Sequence, residues 1–263
     1  MNRWKKLAAA AIAAATLALP SVAKADKLQD ILDAGTVRIG VLLDVPPWGF
    51  RDGAGEAAGL DVDVAKLIAK DLGVELEVVQ VTGTNRIPSL LANQVDLLIS
   101  ALGATPGRAQ QVMFSQPYAA VQLGVYGPES IPATENAADL AGRRIAVARG
   151  TTLDLWLSDN APDADLVRFE DVPAALAAYL VGQVEMFAEN SAVVVNAQKD
   201  HPDAELGLKF TMRQSPAHIA VPMGEHNLLQ WLNTFVFANR LNDRLPDLQK
   251  KWFNAEQGDL PAL

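Results

Sequence analysis

Two periods of apolar and polar positions alternate along this chain. Residues 37–43 form a short β-branched and apolar run, the pattern of a buried strand. Residues 61–72 repeat apolar side chains at helical spacing, with Val64, Leu67, Ile68 and Leu72 on one face and Gly73 as the stop. Residues 75–81 alternate polar with apolar side chains as far as Val78-Val79 and predict a strand. Residues 86–93 predict a short helix with Pro88 in its first turn, where a missing N–H costs nothing. A strand over 95–100 and a helix start over 106–112 complete a βαβαβα series, the pattern of a parallel sheet covered by helices.

A second series follows. Strands are predicted at 144–148, 166–169 and 184–188, and helices at 152–158, from Asp171 to about 181 with Pro173 near the start, and at 191–199. The two series are joined by an extended segment, 121–127, interrupted by Gly124. A second extended segment, 217–222, precedes a long helix over 225–240. There is no close sequence repeat and no low-complexity linker, so the repetition is architectural: two α/β lobes, each with its own sheet. Such lobes bind ligands at strand carboxyl ends near helix N-termini, and a cleft between them is the expected site.

The first 26 residues carry a different pattern. Arg3, Lys5 and Lys6 precede an uncharged apolar run over 7–19, and Ala23-Lys24-Ala25 stands just before Asp26. This is the layout of a secretory signal peptide, with cleavage expected after Ala25. The apolar run is shorter than the ~20 residues a helix needs to cross a bilayer. Loss of the segment removes four cations (Arg3, Lys5, Lys6, Lys24) and no acids, moving the formal charge from −9 to −13. So acidic a surface disfavours nucleic acid and anionic lipid as partners. Half the residues are apolar, enough for one large domain or two small ones. No cysteine is present, which excludes disulfides, thiol nucleophiles and thiolate metal sites. His201, His218 and His226 show no metal-ligand spacing, so neither a metal nor a cofactor is expected.

Four segments in order resemble a known family. They are Gly59-Leu60-Asp61-Val62-Asp63-Val64-Ala65-Lys66-Leu67-Ile68; Pro46-Pro47-Trp48-Gly49-Phe50; Thr105-Pro106-Gly107-Arg108 with Phe114-Ser115-Gln116-Pro117-Tyr118; and Arg149-Gly150-Thr151-Thr152. Together they resemble the bacterial extracellular solute-binding proteins of family 3, periplasmic receptors for polar amino acids that serve ABC importers. The resemblance implies a two-lobed, type II periplasmic-binding-protein fold of the α/β class, with two parallel-rich sheets and a two-segment hinge. Lobe 1 is then 26–121 plus 218–263, and lobe 2 is 122–217. The implied partners are a small amino acid or carboxylate and an importer permease, with the receptor itself a monomer in the periplasm. Hinge closure around a ligand is a known transition of such proteins.

Candidate site residues combine both lines of reasoning. Arg108 opens a helix after a strand, facing the cleft, and a guanidinium meets a carboxylate with two parallel charge-assisted bonds. It matches the family's carboxylate-binding arginine. Thr151 and Thr152 open a helix whose N–H groups favour an anion. The segment Thr84-Asn85-Arg86-Ile87-Pro88 resembles the glutamate/aspartate-binding branch, in which the matching arginine meets the ligand's side-chain carboxylate. Gly83 stands where many relatives carry an aromatic wall, and its smallness is expected to open space for an anion beside Arg86. Asn190 stands where the family has an aspartate for the ligand's ammonium; its amide oxygen still accepts, and Glu189 is the neighbour that would supply charge. Ala101 and Gly103 replace common hydroxyl residues, leaving backbone to hold the ligand there. Asp44 and Trp48 complete the set, Trp48 either as core or as a stacking wall.

No nucleophile elbow, HExxH or glycine-rich phosphate loop is present. A receptor is therefore expected rather than an enzyme. The alternatives are a cyclohexadienyl dehydratase-like enzyme on the same scaffold, for which Glu189 is the one candidate acid, and a ligand-sensing binding protein.

Overall fold

The computed structural model describes residues 26–256 and Leu260, so the signal segment and its cleavage point lie outside the described residues. Helix α1 (Lys27–Ala34) is capped by Asp26, whose side chain accepts from the Leu28 N–H at 3.1 Å. Strand β1 (Thr36–Leu42) buries Val37, Ile39 and Val41 completely. A small antiparallel sheet of β2 (Asp44–Val45), β3 (Gly49–Arg51) and β4 (Ala57–Ala58) leads into α2 (Leu60–Leu72). Strand β5 (Glu75–Val81), α3 (Arg86–Leu91), β6 (Leu97–Leu98) and the short α4 (Pro106–Ala109) complete the first half.

The second half contains a 3-10 turn (Ala137–Leu140), β8 (Arg144–Ala148), α5 (Thr152–Asn160), β9 (Asp165–Phe169), α6 (Val172–Leu180), β10 (Met186–Asn190) and α7 (Ser191–Asp200). The starts of α5, α6 and α7 follow from their caps. Thr151, Asp171 and Asn190 accept from the N–H groups of Asp154, Ala174 and Val193 at 3.2, 2.8 and 3.1 Å.

Two 16-residue strands, β7 (Val112–Gly127) and β11 (Gly207–Pro222), run antiparallel through both halves. The order β5-β1-β6-β11-β7-β10-β8-β9 makes one eight-stranded sheet. Within it lie the two parallel-rich groups that the sequence predicts, β5-β1-β6 and β10-β8-β9. The long pair joins them: Ala220 meets β6 at Leu98, and Leu123 meets β10 at Asn190. Register shifts interrupt the pair between Thr211 and Arg213 and between Ala217 and His218. Bulges of this kind bend and twist a strand pair. The chain closes with α8 (His226–Leu241) and α9 (Arg244–Phe253), whose Lys251 and Trp252 both donate to Asp63 of α2 at 2.7 and 2.9 Å.

One core cluster gathers β1, β6, α2 and α8 around Ile39, Leu97, Ile68 and Leu232 and continues into the second half through Phe187, Val193 and Val194. A second gathers Leu123, Ile145, Val147, Leu157 and Phe210 within the second half. Among the described residues no helix is long and apolar enough to cross a membrane.

Candidate functional site between the two halves

The turns that follow the parallel strands converge on one partly enclosed cavity of about 50 Å³. The first half contributes Trp48, Arg86 and Ala101; the second contributes Thr151, Thr152, Glu189 and Asn190. The long strand pair supplies Ser215 and Ala217 from β11 and Val121 and Leu123 from β7. Such a volume holds a few waters or the polar end of a small ligand. Its ionisable lining consists of Arg86 and Glu189, one from each half.

Arg86 is the first residue of α3 and is 4 % exposed. It therefore does not face solvent. Its Nη1 donates to the Ser100 carbonyl at 2.6 Å, its one side-chain hydrogen bond among the described residues, although a guanidinium carries five donors. Burial, and then the charge of Arg108, push its pKa down to about 9. Tyr118, and then Asp61, fully buried at the start of α2, act in the opposite direction. Both Asp61 oxygens are occupied, Oδ1 by the Tyr118 hydroxyl at 2.7 Å and Oδ2 by the Ala101 N–H at 2.9 Å. Burial nevertheless raises its pKa to about 7, against the lowering effect of those bonds and of Arg86.

Arg108 is buried as well, but it reaches across the cleft instead of lining the cavity. Nη1 donates to the Gly103 carbonyl at 2.7 Å and to Thr152 Oγ1 at 3.0 Å, and Nη2 donates to the Gly150 carbonyl at 2.9 Å. The first contact lies within its own half and the other two lie in the second half. Burial, then the charge of Arg213 on β11, lower its pKa to about 10. Gly103 permits this close approach, since a Cβ there would stand 2.8 Å from Thr152 Oγ1.

Glu189 and Asn190 end β10, 3 % and 6 % exposed. Asn190 Oδ1 accepts from Trp48 Nε1 at 3.2 Å and from the Val193 N–H at 3.1 Å, tying the first half to the α7 cap. Glu189 Oε1 accepts from the Asn190 N–H and from Asn190 Nδ2, both at 2.7 Å. Burial raises the Glu189 pKa to about 7 despite those two donors. Trp48 serves both readings offered by the sequence: it is 1 % exposed and packs edge-on against Phe253 at 4.6 Å, and it also lines the cavity.

Several expected residues fall elsewhere. Asn85 is exposed, and its Oδ1 accepts from the Thr82 N–H at 2.7 Å, holding the turn before α3. Asp44 lies outside the cavity and faces Asp171 of the α6 cap. Its Oδ1 has no hydrogen bond, and burial followed by the Asp171 charge raises its pKa. Gly83 does not open space beside Arg86: a Cβ there would meet the Arg149 carbonyl oxygen at 3.2 Å, so its smallness serves the approach of the two halves. Sequence reasoning missed Ser215, which carries no motif and enters the cavity through the register of β11. His218 is structural, with Nδ1 2.8 Å from the Ser115 carbonyl oxygen.

Comparison with known proteins places these features in a family. The model of the bacterial extracellular solute-binding proteins, family 3, matches residues 37–255. The L-cystine-binding protein TcyJ of Escherichia coli K12 is 25% identical over 245 residues, 92% of this chain and 91% of that protein. The glutamine-binding protein GlnH of a Bacillus subtilis ABC transporter is 29% identical over 243 residues, 90% and 88% of the two chains. An ancestral amino acid-binding protein, a precursor of cyclohexadienyl dehydratase, superposes with a TM-score of 0.79 at 28% identity, covering 86% of this chain and 99% of that one.

Proposed function

The chain belongs to the bacterial extracellular solute-binding proteins, family 3, and from that premise we propose that it is a periplasmic receptor delivering a small acidic amino acid, or a related dicarboxylate, to the permease of an ABC importer. The observation that carries the ligand class is Arg86: a buried cation on the cavity wall with one of its five donors used. A buried charge is costly unless it is paired. An anionic group entering the cavity supplies that pairing. Arg108, with the Thr152 hydroxyl and the first N–H groups of α5, takes a second carboxylate when the cleft is open to it.

Closure follows the long strand pair. Lobe 1 is 26–121 plus 218–263 and lobe 2 is 122–217, with the hinge where β7 and β11 pass between the parallel groups. The Arg108 bonds to Thr152 and Gly150, together with the Trp48–Asn190 bond, then hold the closed form. The receptor acts as a monomer after cleavage behind Ala25. The relatives' names, cystine and glutamine, support an amino acid as the ligand; the acidic preference rests on this chain's own Arg86.

A thermal-shift panel on the mature protein tests this reading. A ligand at about 100 times its Kd stabilises by about 2.7 kcal/mol. The expected order is glutamate, aspartate and dicarboxylates first, then glutamine and asparagine, with lysine and arginine last. Strongest stabilisation by a basic amino acid would refute the acidic ligand class, and no shift with any amino acid or carboxylate would refute the receptor.

A further inference from the structure

At the end of β10 two adjacent side chains divide one task. Asn190 Oδ1 has both lone pairs engaged, by Trp48 Nε1 and the Val193 N–H, so its amide oxygen has no capacity left for a ligand. Glu189 Oε1 is held in turn by Asn190. Among the described residues the other carboxylate oxygen, Oε2, takes no hydrogen bond, although the side chain is 3 % exposed and lines the cavity. Asp61, the other buried acid near the site, has both oxygens occupied and stands outside the lining. Glu189 Oε2 is thus the one open carboxylate oxygen among the described side chains that line the cavity, and it comes from the half that does not carry Arg86.

We propose that Glu189 Oε2, in place of Asn190, takes the ammonium group of the ligand, and that binding expels one proton from the Glu189 carboxyl to solvent. The inference rests on the amino-acid receptor reading above. The charges then match: Arg86 and Arg108 meet two carboxylates, and Glu189 meets one ammonium. Burial holds the Glu189 carboxyl near 7, and an ammonium within hydrogen-bond reach favours the ionised form. The ionisable groups around it are Tyr126 of β7, whose pKa burial and then the Glu189 charge raise, and Arg86, which lines the same cavity. Burial and the two Asn190 hydrogen bonds set the Glu189 pKa. Asn190 becomes a positioning residue that fixes the carboxyl and caps α7.

The test is isothermal titration calorimetry of the mature protein with L-glutamate, L-glutamine, L-arginine and glutarate. Titrations run from pH 5.5 to 7.5, in two buffers of different protonation enthalpy. Binding that releases a proton strengthens as pH rises towards the free-state pKa. The affinity of the best-bound amino acid should therefore rise roughly tenfold or more over this range, with proton release at pH 6.5. Glu189→Gln should abolish the pH dependence and weaken the amino acid, while glutarate at pH 7.5 binds no worse than to the wild type. A flat wild-type profile without proton release would overturn the proposal. So would a pH slope that persists in Glu189→Gln, or binding of glutarate by a protein that binds no amino acid. The two-buffer measurement on the wild type decides the proton even if the variant folds poorly. Preference for L-arginine or L-glutamine would overturn the acidic ligand class and leave this test intact, because each carries the same ammonium.

Discussion

Arg86 and Arg108 are both buried guanidiniums, yet their hydrogen bonds separate their roles. Arg108 spreads three bonds over Gly103, Thr152 and Gly150, while Arg86 has one. Removing the less satisfied of the two should cost the empty protein little and the complex much. Arg86→Ala is expected to weaken an acidic ligand by about 2–5 kcal/mol, roughly 30-fold or more in Kd, and its amide by less. The melting temperature of the ligand-free protein should not fall, because a buried charge is removed with only one bond. Paired calorimetry with L-glutamate and L-glutamine checks this; an unchanged acid-to-amide ratio would make Arg86 a structural residue only. Both arginines were legible in the sequence, because each sits in a short motif at a strand-to-helix turn. Glu189 was legible as the neighbour that would supply charge beside Asn190. The bonds to Trp48 and Val193 that engage the Asn190 oxygen were not, because no local pattern encodes them.

Elements with strong periodicity were legible almost to the residue. Strand β5 runs as expected, α2 begins one residue early at Leu60, and Asp171 caps α6 with Pro173 in its first turn. The expected strand over 95–100 shrinks to Leu97–Leu98. Asp96 is drawn off to the N–H and guanidinium of Arg38, and Ala101 takes a positive φ of 48° just beyond. Helices α1 and α9 and the small β2-β3-β4 sheet were not foreseen. They are short, and their apolar positions find partners only in the tertiary fold, as Trp252 does against Phe50 and Asp63. At this scale the α7 cap is the point where structure and site meet. Asn190→Ala removes the cap, at about 1 kcal/mol, and leaves the buried Trp48 Nε1 without its acceptor, at about 1–3 kcal/mol more. A fall in melting temperature of roughly 5–10 °C is expected. Asn190→Ser should lose less, since it keeps a cap oxygen but is too short to reach Trp48. Equal losses in the two variants would show that the cap oxygen contributes nothing.

For the whole molecule, the alternation of strands and helices foretold two parallel groups and a cleft between them. It did not foretell that β7 and β11 would join both groups into one hydrogen-bonded sheet. The extended segments were recognised only in part, at 121–127 and 217–222, because the remainder of each 16-residue strand lacks a clean alternation: β7 mixes buried with half-buried positions and β11 buried with exposed ones. The register shifts near Thr211–Arg213 and Ala217–His218 lie where such a continuous pair needs to bend, and they are consistent with a hinge inside the strands. Closure around an acidic amino acid is the central claim, and small-angle scattering of the mature protein tests it most directly. Saturating L-glutamate should reduce the radius of gyration of the wild type and leave Arg108→Ala unchanged. No compaction of the wild type with L-glutamate, or compaction with L-arginine instead, would contradict the account.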